Sequence, residues 1–179
     1  RAVNLGTLEG DAVGIFASSL KHSGLIKATA VSTEGGRVIL RAQDLVEIEG
    51  ATKAERLNRL GGLFQATADK VGLSGTASVD VSGASGGGDI LIGGDYQGKN
   101  PNVRNAQMTF VGAGAQLNAS ATDQGNGGKV IVWSDRSTRV FGTIEAKGGA
   151  NGGNGGLVET SGKQGLEFGA KVDVSAAHG

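Results

Sequence analysis

The sequence predicts an all-β solenoid, a right-handed parallel β-helix of roughly six coils of about 25 residues each. Three observations predict it. Five Gly-Gly doublets open at residues 35, 61, 87, 127 and 155, at intervals of 26, 26, 40 and 28 residues, and each is followed by two mostly apolar residues spaced two apart. A second alternating segment precedes four of the doublets by 8 to 11 residues. Composition is the third: 34 of the 179 residues are glycine and only 4% are aromatic, which suits a narrow interior of stacked strands. A unit of this length cannot bury its apolar face alone, so neighbouring units must stack.

The strands follow in order. Gly35-Gly36 leads into Val38 and Leu40, Gly61-Gly62 into Phe64 and Ala66, and Gly87-Gly88 into Ile90 and Ile92. Gly127-Gly128 leads into Val130 and Val132, and Gly155-Gly156 into Val158 and Thr160. Period-two alternation buries one face of a strand. Ahead of the doublets stand Ile26 with Ala28, Val79 with Val81, Leu117 with Ala119 and Ile144 with Ala146, and Val172 with Val174 continues the series. A weaker third set comprises Leu45–Ile48, Val71 with Leu73, Thr109–Val111, Val140 with Phe141, and Leu166 with Phe168. Three short strands per coil, with coils about 4.8 Å apart, is the arithmetic of a β-helix. Parallel crossovers favour the right hand. Glycine at the corners is expected to supply positive φ and to let backbones approach.

Two stretches depart from the rhythm. Residues 51–60 are rich in helix formers, with Leu57 and Leu60 three apart, and predict a short helical insertion of one or two turns. The 40-residue interval predicts a long loop at 95–108, which holds Pro101, Tyr96 and Met108, each the only one of its type.

Charge narrows the function classes. Lys plus Arg and Asp plus Glu number 17 each, so no long-range field steers the chain to nucleic acid or anionic lipid. Cysteine is absent, which removes disulfides and thiolate metal sites. The chain opens without Met or a signal-peptide pattern, so residues 1–179 are read as one β-helical segment from inside a larger protein.

Catalysis finds little support. His22 and His178 lie at opposite ends of the chain, and no nucleophile–His–acid arrangement follows from the spacing. A β-helical polysaccharide lyase or glycosidase would need Asp89, Asp95, Asp135 and Glu159 gathered on one face with Arg136. Acidic residues at strand ends read more simply as solvated, and the chain is expected to be non-enzymatic. Gly125–Lys129 and Ser161-Gly162-Lys163 lack the Ser or Thr that follows the lysine of a phosphate loop. Gly148–Gly156 lacks the Asp of calcium-binding repeats, so no metal or cofactor is expected. Candidate ligand contacts are Asp95, Tyr96, Lys99 and Arg104 in the loop, with Trp133, whose ring either stacks on a sugar or packs on a neighbouring corner. Asn118-Ala119-Ser120 is a glycosylation-type sequon.

Several motifs succeed one another in a single frame: Gly93-Gly94-Asp95-Tyr96-Gln97-Gly98, Asn105-Ala106-Gln107, Gly127–Trp133 and Gly156–Lys163. Together they resemble the large exoproteins of two-partner secretion in Gram-negative bacteria, the filamentous-haemagglutinin-like and high-molecular-weight adhesins. The resemblance is dense from Gly87 to Gly165 and weaker from Gly24 to Gly86. It implies a right-handed β-helix, export by the general secretory route, and passage through a dedicated outer-membrane β-barrel partner. It also implies a secreted or cell-surface location and attachment to host or bacterial receptors. The Asn-Pro signature of the family's secretion domain is missing, so the segment is expected in the shaft just downstream. The alternative is a specific binding module for a glycan or a host protein such as a haem carrier, using the 95–108 loop. Open strand edges at both ends predict end-to-end self-association.

Overall fold

The computed structural model describes residues 1–179, and the sequence alternation becomes stacked parallel strands in about six turns. The chain starts on β1 (Ala2–Asn4) and β2 (Thr7–Gly10). Two coils with one long side follow: β3 (Ala12–His22) with β4 (Leu25–Thr29), then β5 (Arg37–Ile48) with β6 (Ala51–Glu55). Later coils divide the long side in two. They are β7 (Leu63–Thr67), β8 (Lys70–Leu73) and β9 (Ser78–Asp80), then β10 (Asp89–Ile92), β11 (Met108–Val111) and β12 (Gln116–Asn118). The last two are β13 (Lys129–Ser134), β14 (Ser137–Val140) and β15 (Thr143–Glu145), then β16 (Leu157–Gly162), β17 (Gly165–Phe168) and β18 (Lys171–Asp173).

Register turns the alternation into columns. Val13, Val38, Phe64, Ile90, Val130 and Val158 stack as direct partners from coil to coil, and Ile15, Leu40, Ala66, Ile92, Val132 and Thr160 form the next column. On the far side Leu8, Ile26, Thr52, Val79, Leu117, Ile144 and Val172 align. A third side aligns His22, Ile48, Leu73, Val111, Val140 and Phe168. These columns close on each other as one core of 29 buried residues. Apolar area removed from water drives the stacking, and ladder hydrogen bonds between coils satisfy the backbone.

The glycine doublets act through space rather than through φ. Of the ten, only Gly36 has a positive φ, at 71°. In the last four doublets the second glycine donates its N–H back to the end of the preceding coil: Gly62 to Ala54 O at 2.9 Å, Gly88 to Val81 O at 2.9 Å, Gly128 to Ala119 O at 2.7 Å and Gly156 to Ala146 O at 2.7 Å, whereas Gly36 donates to Asp11 O at 2.7 Å. A Cβ on Gly88, Gly128 or Gly156 would overlap the carbonyl oxygen of the glycine one coil before it. The doublet column is therefore a seam of bare backbone; the expected positive φ holds within it at Gly36 alone and is met elsewhere on the corners at Gly75, Gly86, Gly125, Gly152 and Gly153.

Two further expectations change. Residues 51–55 are strand β6, and helix is limited to a single 3₁₀ turn at Leu57–Arg59. Thr52 is buried in register between Ile26 of β4 and Val79 of β9, and Ala54 is buried beside it against Ala28, so column packing overrides the helix propensity of the segment. Val140 enters the core as expected, but Phe141 follows the end of β14 and lies outside it, 6.3 Å from the Phe110 ring and 5.5 Å from the Arg139 guanidinium.

His22 occupies an apolar column, and its hydrogen bonds fix its state. Asn4 Oδ1 accepts from Gly6 N at 3.1 Å, so the Asn4 amide nitrogen donates to His22 Nδ1 at 3.2 Å. Nε2 then carries the proton and donates to Ala51 O at 3.0 Å. Burial pulls the imidazole below its ordinary value, against the opposing pull of the Ala51 carbonyl. The unfolded chain takes up this proton near pH 6.5 and the folded chain only at lower pH, so stability falls as pH drops below about 6.5. Thermal melts at pH 7.5 and 5.0 are expected to show this loss in the native protein and not in His22→Leu. Asp11, Asp95 and Asp173 have lowered values, so their contributions are lost at more acidic pH.

Candidate functional site

The long loop leaves β10 through Gly93 and Gly94, both at positive φ, and returns at Met108. It lies along one face of the rod as a strap. Asp95, 9% exposed, organises its start: Oδ1 accepts from Tyr96 N at 2.7 Å and Lys129 Nζ at 3.0 Å, and Oδ2 accepts from Asn100 Nδ2 at 2.7 Å. Burial raises this carboxyl's affinity for a proton, but the Asn100 amide, the Tyr96 N–H and the Lys129 ammonium outweigh it and hold the group below the usual carboxylate range. Further along, the Arg104 guanidinium donates to Ala42 O at 3.2 Å and Gln43 O at 2.9 Å and pairs with Asp69. In the other direction Gln97 N donates to Glu159 Oε2 at 2.9 Å. The strap thus ties the corner of β5 to β16, across coils that otherwise touch only their neighbours.

Beneath it lies a small second core. Leu91 and Ile131 point outward from β10 and β13, and Val103 covers them, with Leu63 and Trp133 packed alongside. The strap backbone rests on the indole: a Cβ on Gly98 would stand 2.5 Å from Trp133 Cε2, and one on Gly94 2.8 Å from Cδ1. Trp133 Nε1 donates to Asp135 Oδ1 at 3.1 Å, and the Asn105 amide bridges that same oxygen, at 3.2 Å, to Gly98 O, at 2.9 Å.

The structure places the sequence candidates in two groups. Asp95, Arg104 and Trp133 are engaged inside or under the strap. Tyr96, 46% exposed, and Lys99 stand at its outer surface, the Lys99 ammonium 2.6 Å from Gln97 Oε1. The carboxylates weighed for catalysis each have a structural partner. Asp89 pairs with Arg56 at 3.7 Å, Asp135 holds Trp133, and Glu159 accepts from Gln97 N and from Ser161 Oγ at 2.9 Å. No three His, Cys, Asp or Glu side chains are grouped to hold a metal ion.

Asn118 belongs to a turn repeated around the rod. Its Oδ1 accepts from Ser120 N at 3.0 Å, as Asp80 Oδ1 does from Ser82 N at 2.9 Å and Asp173 Oδ1 from Ser175 N at 2.9 Å. The three are register partners or lie on the same strand row. Ser120 is buried and accepts from Lys147 N at 3.0 Å, so the sequon's hydroxyl faces inward. The Asp/Asn-apolar-Ser spacing was the signal for this turn. Asn118→Asp is expected to keep stability within about 0.5 kcal/mol, and Asn118→Ala to cost about 1 kcal/mol, in urea melts.

Stacked parallel coils, a mainly apolar interior and a strapped outer face define a structural β-solenoid. Neither a family model nor a curated protein matches the chain. Among solved structures it is similar to the secretion domain of HMW1 from Haemophilus influenzae, with TM-score 0.83 and 31% identity over 99% of this chain and 49% of that one. The chain spans about half the length of that structure. The likeness is to a secretion domain, whereas the sequence pointed to a shaft downstream of one.

Proposed function

We propose that this chain is a non-enzymatic rod segment within the secretion domain of a two-partner exoprotein, exported through an outer-membrane β-barrel partner to the cell surface or medium. The observation that carries this reading is the similarity to a secretion domain along nearly the whole chain. Its chemistry is that of folding: bare-backbone seams and apolar columns let each coil template the next as the polypeptide emerges. The folded rod then holds adhesive parts of the exoprotein away from the cell. In-frame removal of residues 1–179 from the exoprotein, co-expressed with its β-barrel partner, is expected to abolish its appearance in the medium. Export at the normal level would place these coils in a shaft instead.

One observation favours a second role. Tyr96 and Lys99 are exposed on a strap whose backbone is held rigid by Asp95 and Glu159, a suitable platform for a glycan or host-protein contact. Tyr96→Ala with Lys99→Ala is expected to reduce attachment of the exoprotein to host cells while leaving its circular dichroism unchanged. Attachment equal to the parent protein removes this role.

A further inference from the structure

One side of the rod, built from the second half of β5 with β8, β11, β14 and β17, carries an outward column in register. Its members are Glu47, Gly72, Phe110, Arg139 and Glu167. Phe110 stands at the centre, and its two neighbours differ. On one side the Arg139 guanidinium lies over the ring, 5.9 Å from its centroid and 5.5 Å from that of Phe141. Its Nε donates to Glu167 Oε2 at 2.6 Å. On the other side Gly72 brings no side chain, and a Cβ added there would meet nothing within 4 Å. Glu47 follows one coil further, as Glu167 follows Arg139. Ring, cation and carboxylate succeed one another in one direction; in the other, ring and carboxylate flank a glycine.

The glycine opens a groove of about 260 Å³, with Leu45, Lys70 and Met108 along one flank and Phe110 and Arg139 along the other. Phe110 is 37% and Met108 47% exposed, so this surface is apolar and wet. Glu47 is half-buried and takes part in no ion pair. Lys21, its register partner one coil before, pairs with Glu49 at 3.2 Å instead. Lys70 is exposed and likewise unpaired, and across water it opposes a bound cation only weakly.

We infer that this groove receives an arginine side chain of a partner protein, its guanidinium held between the free face of Phe110 and the Glu47 carboxylate. Charge selects the occupant: an unpaired carboxylate beside the electron-rich face of a ring attracts a cation. Shape selects among cations, because a planar guanidinium stacks on the ring and bonds a carboxylate at its edge, as an ammonium cannot. The backbones of Glu47 and Phe110, two coils apart, stand about 10 Å from each other, which leaves room for one planar group above Gly72. The aliphatic stem of the arginine would cover Leu45 and Met108. Binding here requires neither the export partner nor Tyr96 and Lys99.

The probe is N-acetyl-arginine amide titrated into the 179-residue chain, read by NMR at the Gly72 amide, the Met108 methyl and the Phe110 ring. Saturable shifts at all three are expected in the millimolar range. Phe110→Leu is expected to weaken binding at least about threefold, and Glu47→Gln about threefold. Lys70→Ala is expected to strengthen it up to about twofold by removing a like charge. N-acetyl-lysine amide is expected to bind at least about threefold more weakly than the arginine probe. Gly72→Arg supplies the guanidinium from within the column. It is expected to abolish probe binding and to raise the urea midpoint, a gain that Glu47→Gln then removes. The inference is overturned by no saturable shift, by equal binding of N-acetyl-glutamate amide, or by unchanged binding in Glu47→Gln. It is equally overturned if the Gly72→Arg midpoint ignores Glu47→Gln, or if concentrated protein alone shifts the same signals, which would make the occupant a second copy.

Discussion

Gly128→Ala is expected to destabilise the protein by at least about 4 kcal/mol, whereas Gly72→Ala leaves stability unchanged or raises it by up to about 1 kcal/mol. Both glycines sit on parallel strands or their corners and neither has positive φ. The difference is what a methyl group would meet. At Gly128 an added Cβ overlaps Gly88 O and lies 2.8 Å from the carbonyl carbons of Gly87 and Gly88. All of these are backbone atoms of the coil before, fixed because Lys129 N donates to Gly88 O at 2.9 Å. Relief requires the coils to separate, which breaks that bond and opens the Ile90–Val130 column. At Gly72 nothing stands within 4 Å, and the Cβ points to solvent between Glu47 and Phe110. Urea unfolding of the two variants checks this directly. Similar midpoints would mean the doublet seam is not what sets the coil spacing.

The doublet columns were legible because turn chemistry and strand alternation fall in one frame, and a register of period two leaves no freedom once the corners are placed. Val38, Ile90, Val130 and Val158 therefore stack as the spacing requires. The first coil was not legible. At its corner Gly10-Asp11 stands where later coils have a doublet, and Asp11 instead takes Val31 N at 2.6 Å and Ser32 Oγ at 2.6 Å. The alternation of Val13, Ile15 and Ala17 was present but had no punctuation. Residues 51–55 misled because alanine and lysine favour helix locally, while burial of Thr52 and Ala54 depends on neighbours 25 or more residues away.

The strap had a signal that spacing alone does not use. Ile90-Leu91-Ile92 of β10 and Val130-Ile131-Val132-Trp133 of β13 are unbroken apolar runs whose outward members, Leu91 and Ile131, are buried, whereas Ile39 in the similar run Val38-Ile39-Leu40 of β5 is only half-buried. A strand apolar on both faces is covered on both. These are the two strands the 95–108 loop overlies, so the run and the insertion are one feature. Its polar anchors came from residues distant in sequence, Gln43, Asp69 and Glu159, whose partnership only the coil stacking creates.

Phe64→Ala is expected to cost about 3–5 kcal/mol, and Phe168→Ala less than about 1 kcal/mol. Phe64 is fully buried, with Val38 and Ile90 as its register partners on either side. Truncation there leaves a cavity that the fixed coil spacing cannot collapse, because the seams on both sides hold the backbone apart. Phe168 ends its column and is 50% exposed, so its loss removes little burial and opens no enclosed space. Position along the rod also changes the form of unfolding. In a stack where coils contact mainly their neighbours, weakening a central interface can uncouple the two halves. Phe64→Ala should therefore give a broader urea transition with a lower m value, while Phe168→Ala keeps the parent slope. The strap opposes this uncoupling, since Arg104 grips Ala42 and Gln43 beyond the Phe64 coil. Adding Arg104→Ala to Phe64→Ala is accordingly expected to lower m further, and an m value equal to that of Phe64→Ala alone would show that the strap carries no coupling between the halves.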